Sequence, residues 1–276
     1  MPKSSVAPVR TMHRIGTFED PTLASRYECK YQISPMVVSA LREFIQPFMR
    51  PDPFAALREG NRYPICSLYL DSEDLVLYHQ TVGGHKNRFK LRVRSYSDDP
   101  RQPVFFEVKK KINNIVKKRR ARLDREQAAL FLDDYNVSRL KGITPDLRAD
   151  CDLFAHLAAL IACKPVIKVR YMREAYESRG GDPVRLTLDT DVVHAVTFER
   201  EVRHGHGRWM TTPVDGVILE IKFTERFPTW IADLVRAFGL RQQPVPKYTL
   251  SVDQTLLSGR ESGMTVAGFT LPPLRI

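Results

Sequence analysis

The segment Arg-Phe-Lys-Leu-Arg-Val-Arg, at residues 88–94, constrains the fold of this chain more than any other feature. Successive side chains of a β-strand point to opposite faces of the sheet. As a strand, this segment therefore places its basic side chains on one face and its apolar side chains on the other. The apolar face needs a core, and the basic face needs water or an anion. The sequence thus predicts a sheet with one strongly basic face.

Similar alternation recurs along the chain and is typical of antiparallel strands. We predict strands at residues 26–33, 65–70, 88–96, 104–111, 115–123, 166–176, 184–189, 192–198, 209–212, 217–223 and 246–252. Helical spacing of apolar residues, together with capping residues, predicts helices. They begin at Ser34-Pro35 and lie near residues 72–80, 124–134, 147–163 and 225–238. This mixture predicts an α+β fold with about eight to ten mainly antiparallel strands.

The polar faces of these strands carry many more cations than anions. The 276 residues include 43 Lys+Arg and 32 Asp+Glu, which gives a formal net charge of +11. A solvated face normally mixes charge signs, and neighbouring strand faces of like charge repel each other. The surplus therefore implies a polyanionic partner: nucleic acid, an anionic membrane surface or phosphate chains. Composition alone leaves these three open.

The chain ends and the cysteines predict the domain limits and the compartment. Residues 1–22 lack the apolar stretch of a signal peptide and are expected to form a flexible arm, residues 23–256 one domain, and residues 257–276 a tail. No apolar run approaches the ~18–20 residues that span a bilayer, so we expect no transmembrane segment. A cytoplasmic location is expected because the cysteines form no CxxC pair and are typical of buried free thiols. They are Cys29, Cys66, Cys151 and Cys163.

Nine short segments occur in an order that is known from one protein family. They are YECKY (27–31), SLYLD (67–71), RFKLRVR (88–94), FEVK (106–109), VKKR (116–119), PVIKVRYMR (165–173), VRLTLDT (184–190), LEIK (219–222) and PKY (246–248). Together they resemble the VTC (vacuolar transporter chaperone) domain, the polyphosphate polymerase branch of the triphosphate tunnel metalloenzymes. The resemblance implies a closed antiparallel β-barrel of about eight strands that forms a polar tunnel, with flanking α-helices.

The resemblance also implies roles for individual residues. The cations that match the phosphate-binding and catalytic positions are Lys30, Arg92, Arg94, Lys109, Lys117, Arg173, Arg185 and Lys247. Glu220 matches the metal-binding carboxylate, and Lys118 competes for the place given to Lys117. Shared strand faces, together with the motifs, add further residues to the proposed lining. They are the cations Arg119 and Lys222 and, as metal ligands, the carboxylates Glu28, Glu107 and Asp189.

The implied activity is transfer of the terminal phosphoryl group of ATP to a growing polyphosphate chain. Arginine forks bind phosphate oxygens, and the carboxylates would hold Mn²⁺ or Mg²⁺. The expected ligands are ATP and inorganic polyphosphate, and a membrane-protein partner is expected if the product is exported. In the wider superfamily the first strand reads Glu-x-Glu-x-Lys, whereas here it reads Arg26, Glu28 and Lys30. One acidic residue is lost, which disfavours a two-metal triphosphate hydrolase.

Three other functions stay open. The first is hydrolysis of triphosphate or nucleoside triphosphate in the same tunnel. The second is polyphosphate binding without catalysis. The third is nucleic-acid binding, which the cationic run at residues 117–120 suggests. Because aromatic residues are not interleaved with these cations as stacking platforms, nucleic acid is not expected to be the primary ligand.

Overall fold

The computed structural model describes residues 26–113, 115–180, 183–224 and 227–261, so the predicted arm at residues 1–22 lies outside the described residues. The strands are β1 (Arg26–Ile33), β2 (Met49–Pro51), β3 (Arg62–Asp71), β4 (Arg88–Ser95), β5 (Val104–Ile112), β6 (Ile115–Leu123), β7 (Lys164–Ser178), β8 (Val184–Val196), β9 (Met210–Thr211) and β10 (Val217–Thr224). The helices are α1 (Val38–Ile45), α2 (Val76–Val82), α3 (Arg125–Asp134), α4 (Pro145–Leu160), α5 (Thr229–Ala237) and α6 (Lys247–Glu261). Short 3₁₀ turns lie at Pro35–Val37, Glu59–Asn61 and Val137–Arg139.

The strands form one antiparallel sheet in the order β1-β10-β8-β7-β3-β4-β5-β6, with β2 paired to β7 and β9 paired to β8. Within the described part of the chain, β1 and β6 are not hydrogen-bonded to each other, so the prediction of a closed barrel is wrong. Lysines and arginines along an edge strand oppose the addition of another strand. β6 carries four such residues in succession, at 117–120. This charge gives a physical reason why no backbone ladder closes the sheet.

Helices cover the outer face of the sheet. Phe131 of α3 and Phe154 of α4 pack edge-on against Phe106 of β5, with ring centroids 4.9 and 5.1 Å from that of Phe106. α1 and α5 bury their apolar faces against β1, β8 and β10. The predicted start of α3 is confirmed, because the side chain of Asp124 accepts a hydrogen bond from the backbone N–H of Gln127. The apolar faces of the strands thus pack against the helices, and the polar side chains of the strands contact one another on the inner face of the sheet.

Residues 247–252 belong to helix α6, so the prediction of a strand at residues 246–252 is wrong. Tyr248, Val252 and Thr255 are all buried, and their spacing of four and three residues is that of one helix face. A window of seven residues is too short to show this period. α6 also runs across the predicted boundary between residues 256 and 257. Because α6 begins at Lys247, it brings this predicted site residue to the polar face of the sheet.

The structure bears on the expected free thiols and on the expected lack of a transmembrane segment. All four cysteines are free thiols; Cys66, Cys151 and Cys163 are buried and Cys29 is half-buried. Among the described residues, no helix has the length and apolar character needed to cross a membrane.

Candidate polyanion-binding site

Glu107 of β5 lies at the centre of a group of cations on the inner face of the sheet. Its side chain is only 1% exposed, and its carboxylate lies 2.5 Å from Nε of Arg92 and 2.9 Å from Nζ of Lys118. Arg120 donates to it from Nε at 2.7 Å, and Nε of Arg94 lies 3.9 Å away. Burial alone would raise the pKa of Glu107, but these cations hold it well below its usual range. One carboxylate thus holds four cations in fixed positions.

A second group joins strands β7 and β8 to helix α6. Arg173 donates two hydrogen bonds to Asp189, from Nε at 2.6 Å and from Nη2 at 2.7 Å. Nζ of Lys247 donates to the same carboxylate at 2.6 Å. Asp189 is fully buried, which by itself would raise its pKa, but the two cations lower the pKa to about 2. The carboxylate is therefore ionised, and it orients both cations.

A third group lies on β1 and β10, where acids and bases face each other across the strand pair. Glu28 is opposite Lys222, and Lys30 is opposite Glu220. Nζ of Lys30 lies 3.0 Å from Glu28 and 3.4 Å from Glu220. Lys222 contacts both carboxylates as well. Burial would raise the pKa of Glu220, but Lys222 and Lys30 hold it well below its usual range.

Hydroxyl groups orient the arginines of β4. Arg94 donates to the side-chain oxygen of Ser67 at 3.1 Å and to the hydroxyl of Tyr171 at 3.5 Å. Arg92 donates to the hydroxyl of Tyr69 at 3.4 Å. Burial alone would raise the pKa of Tyr69, but the two arginines lower it to about 8. A neutral hydroxyl orients a guanidinium group without cancelling its charge, so this part of the site stays cationic.

Three lysines of the site have a pKa below the usual range of a lysine. Burial lowers the pKa of Lys90 to about 8 and that of Lys118 to about 7, although Glu107 opposes the second shift. The pKa of Lys109 is also lowered, again mainly by burial. The cations of the site are Lys30, Lys90, Arg92, Arg94, Lys109, Lys118, Arg120, Arg173, Arg185, Lys222 and Lys247, and the carboxylates are Glu28, Asp52, Glu107, Asp189 and Glu220. The cations outnumber the carboxylates by about two to one, which favours binding of a polyanion.

The segment that follows β2 contacts one end of the site. Nη2 of Arg185 donates to Oδ2 of Asp52 at 2.8 Å, and Oδ1 of Asp52 accepts the backbone N–H of Ala55 at 2.7 Å. Phe54 packs edge-on against Tyr63, with ring centroids 4.7 Å apart. The carboxylate of Asp52 therefore accepts from a guanidinium donor of Arg185, a type of donor that also binds phosphate oxygens.

The structure places Lys118 and Arg120, rather than Lys117 and Arg119, on the inner face of β6. In the β5–β6 pair, Lys118 is opposite Lys109 and Arg120 is opposite Glu107. Arg119 points to the other face, where it contacts Asp150 of α4. The prediction that Lys117 and Arg119 line the site is therefore wrong by one residue along β6. The signal that fixes the phase is the buried pair Ala121 and Leu123, which places odd-numbered side chains on the core side.

Of the four predicted metal ligands, Glu28 and Glu220 lie together, whereas Glu107 and Asp189 belong to the two other groups. Among the described residues, no group of three or more His, Cys, Asp or Glu side chains could hold a metal ion. Mg²⁺ is commonly held by one or two carboxylates together with substrate phosphates. The carboxylates of Glu28 and Glu220, both in contact with Lys30, fit a metal ion held in this way.

The sequence of the chain matches one family over most of its length. The model of the VTC domain matches residues 25–256. The chain belongs to the VTC domain family. The family resemblance of the nine segments is thereby confirmed, and the polar groups described above lie within this VTC domain.

This VTC domain is similar to part of a larger protein. Vacuolar transporter chaperone complex subunit 4 of Trypanosoma cruzi is 25% identical over 222 residues, which cover 67% of this chain and 27% of that protein. The chain therefore spans about a quarter of the length of this relative.

Two solved structures are only distantly similar. A candidate adenylate cyclase of Bacillus halodurans is 15% identical, with a TM-score of 0.43 over 79% of this chain and 92% of the other. HpAC1 of Hippeastrum, described as having a dominant triphosphatase activity, is 13% identical, with a TM-score of 0.44 over 88% of this chain and 99% of the other.

Proposed function

We propose that this VTC domain transfers the terminal phosphoryl group of ATP to a polyphosphate chain in a metal-dependent reaction. The observation that carries the proposal is the set of oriented arginines on the inner face of the sheet, of which Arg94 is buried and Arg92 and Arg173 are half-buried. Arg92, Arg94 and Arg173 come from two strands and are each held by a carboxylate or a hydroxyl. Phosphoryl transfer needs in-line positioning and neutralisation of phosphate charge far more than it needs covalent chemistry. The family membership supports the same substrate class.

The ion pairs of the site leave donors available for phosphate. A guanidinium group has five N–H donors, and Asp189 takes two of those of Arg173. Glu107 and Tyr69 each take one donor of Arg92. The remaining N–H groups are held in fixed directions, so a phosphate chain meets donors whose orientation is already set. This preorganisation lowers the entropic cost of binding and stabilises charge on the equatorial oxygens.

Glu28 and Glu220 are the residues that would hold Mn²⁺ or Mg²⁺. When bound, a divalent ion would neutralise charge on the phosphate oxygens of the substrate. Lys30 and Lys222, which now contact these carboxylates, would then turn to the phosphate chain. Lys109, Lys118 and Lys247 supply further positive charge along the path of the chain. A cytoplasmic location and a membrane-protein partner for export stay predictions from the sequence.

The test uses the purified full chain with ATP labelled in the terminal phosphate and with Mn²⁺. We expect labelled polyphosphate and ADP. Glu220→Gln should abolish the metal-dependent reaction, and Glu177→Gln, at an exposed ion pair with Arg50, should leave it unchanged. Folded protein that forms no polyphosphate would overturn the polymerase proposal. Release of phosphate from inorganic triphosphate would then indicate a hydrolase, and tight polyphosphate binding without turnover a binding protein.

A further inference from the structure

The hairpin formed by β5 and β6 projects beyond the helices that cover its outer face. Val108 and Ala121 are buried in the cluster that contains α4. Towards the turn, this cover ends. Ile112 is 45% exposed and Ile115 is 63% exposed. Residues 110–112 and 115–117, which we name the hairpin tip, are thus the part of the hairpin without a protein layer above it.

Basic and aliphatic side chains alternate in pairs across the hairpin tip. Ile112 lies opposite Ile115, and Lys110 lies opposite Lys117. Like charges directly opposite each other in a strand pair are destabilising. Neither lysine forms an ion pair with a described residue, since every ion pair on β5 and β6 involves other side chains. This arrangement therefore leaves both the positive charge and the aliphatic surface without a partner in the described part of the chain.

The inner side of the tip has the same character. Val116 is 50% exposed and lies opposite Lys111, which is in turn opposite Arg88. Both faces of the tip thus present aliphatic groups bordered by cations. Isolated exposed apolar residues are common on protein surfaces, but a contiguous group within a basic rim marks an interaction surface.

The combination of lysines with exposed aliphatic side chains at the hairpin tip favours one kind of partner. Lysines bind lipid phosphates at an anionic membrane surface, while aliphatic side chains enter the boundary between headgroups and acyl chains. A soluble phosphate chain or a nucleic acid would satisfy the lysines but would leave Ile112 and Ile115 in water. An anionic bilayer satisfies both kinds of side chain at once.

We propose that the hairpin tip docks this protein on the surface of an anionic lipid bilayer. The proposal does not depend on the phosphoryl-transfer reaction, because it rests on surface residues outside the candidate site. Docking would nevertheless position that site, since Lys109 and Lys118 lie directly beside the tip on the inner face of the same two strands. The site would then open near the membrane surface.

The test is co-sedimentation of the full chain with vesicles. Phosphatidylcholine vesicles are compared with vesicles that also contain phosphatidylglycerol. We expect binding to the mixed vesicles only, and roughly tenfold weaker binding for Ile112→Ser with Ile115→Ser and for Lys110→Glu with Lys117→Glu. The matched control is Leu160→Ser, a similarly exposed aliphatic residue on α4, which should bind like the unmodified chain.

Three outcomes would overturn the proposal. One is no binding to either vesicle, and another is equal binding to both. The third is undiminished binding of the double isoleucine variant together with release by added inorganic polyphosphate, which would assign the tip to a soluble polyanion instead. Circular dichroism of each variant shows whether the fold is retained. Ile112, Ile115, Lys117 and Leu160 are exposed and Lys110 is half-buried, so we expect the fold to be retained.

Discussion

Nζ of Lys109 on β5 lies 3.6 Å from the carboxylate of Glu28 on β1, although these strands stand near opposite ends of the sheet order. The sheet must therefore curl until its two ends face each other. Register shifts in β3 and β7, which are typical of β-bulges, increase the local bend and twist. The inner face becomes a partly enclosed space in which side chains from distant strands interact.

Removing the charge of Glu107 should destabilise the fold. Glu107→Gln keeps the shape of the side chain but leaves Arg92, Lys118 and Arg120 without their shared anion. Breaking a buried ion pair on one side typically costs about 3–5 kcal/mol. We expect a loss of that order in the free energy of unfolding, measured by urea denaturation. Added polyphosphate should restore part of it. Glu177→Gln is the control and should cost at most about 1 kcal/mol. Equal effects of the two variants would contradict the central role given to Glu107.

The phase of β6 can be tested by a pair of neighbouring variants. Lys118→Ala should weaken polyphosphate binding by roughly tenfold, because it removes a cation of the inner face. Lys117→Ala should change polyphosphate binding much less, since this residue lies on the other face. Isothermal titration calorimetry gives both dissociation constants. A larger effect for Lys117→Ala would mean that the sequence-based assignment, and not the register in the structure, describes the bound state.

Asp52 should compete with phosphate for Arg185. Asp52→Asn keeps an oxygen that can accept the N–H of Ala55 but removes the charge that binds Arg185. We expect a several-fold gain in polyphosphate affinity, because the charge-assisted hydrogen bond that competes for Arg185 is removed. Asp52→Ala is the comparison, because it also removes the cap on Ala55 and should lower thermal stability. Unchanged or weaker binding by Asp52→Asn would show that Arg185 is not used by the ligand.

Polyphosphate binding should take up protons. The pKa values of Lys118 and Lys90 lie at about 7 and about 8, lowered mainly by burial, so both are partly neutral at mildly alkaline pH. A bound polyanion favours the ammonium form and raises these values, so the complex holds more protons than the free protein. Affinity should therefore fall as pH rises above about 7 and should level off below it.

Calorimetry in buffers of different ionisation enthalpy measures this uptake. We expect an apparent binding enthalpy that varies with the buffer for the unmodified chain. Lys118→Met should reduce that variation. A buffer-independent enthalpy at pH 8 would contradict the lowered pKa values.

Local patterns in the sequence were sufficient for much of the fold. Strand β1 has the predicted bounds, because charged and apolar residues alternate from Arg26 to Ile33 without interruption. The cap at Asp124 also acts as predicted. The phase of β6 was missed because residues 117–120 are all basic and give no alternation to read. Only Ala121 and Leu123, at the end of the strand, carry that information.

Other features depend on contacts that a local pattern does not encode. Asp52 lies 133 residues from Arg185 in the chain, and its loop has no periodic signal that would relate it to β8. Whether the sheet closes into a barrel depends on the accumulated bend and twist of all its strands. The predicted cations Lys30, Arg92, Arg94, Arg173 and Lys247 lie in the three groups on the inner face of the sheet. Strand alternation gave the face of Lys30, Arg92 and Arg94, whereas the family resemblance gave Arg173 and Lys247. Their use in catalysis stays a prediction.

The gap between β1 and β6 has a consequence for the shape of ligand that can enter. A closed ring of strands admits a polymer only if one end of the polymer enters first. In the described residues, this sheet is joined across its two ends by contacts such as that of Lys109 with Glu28, and such contacts can part and re-form without breaking a strand pair. We therefore expect that a long polymer is taken up laterally at any point along its length, and that a cyclic phosphate, which has no terminus, reaches the same arginines.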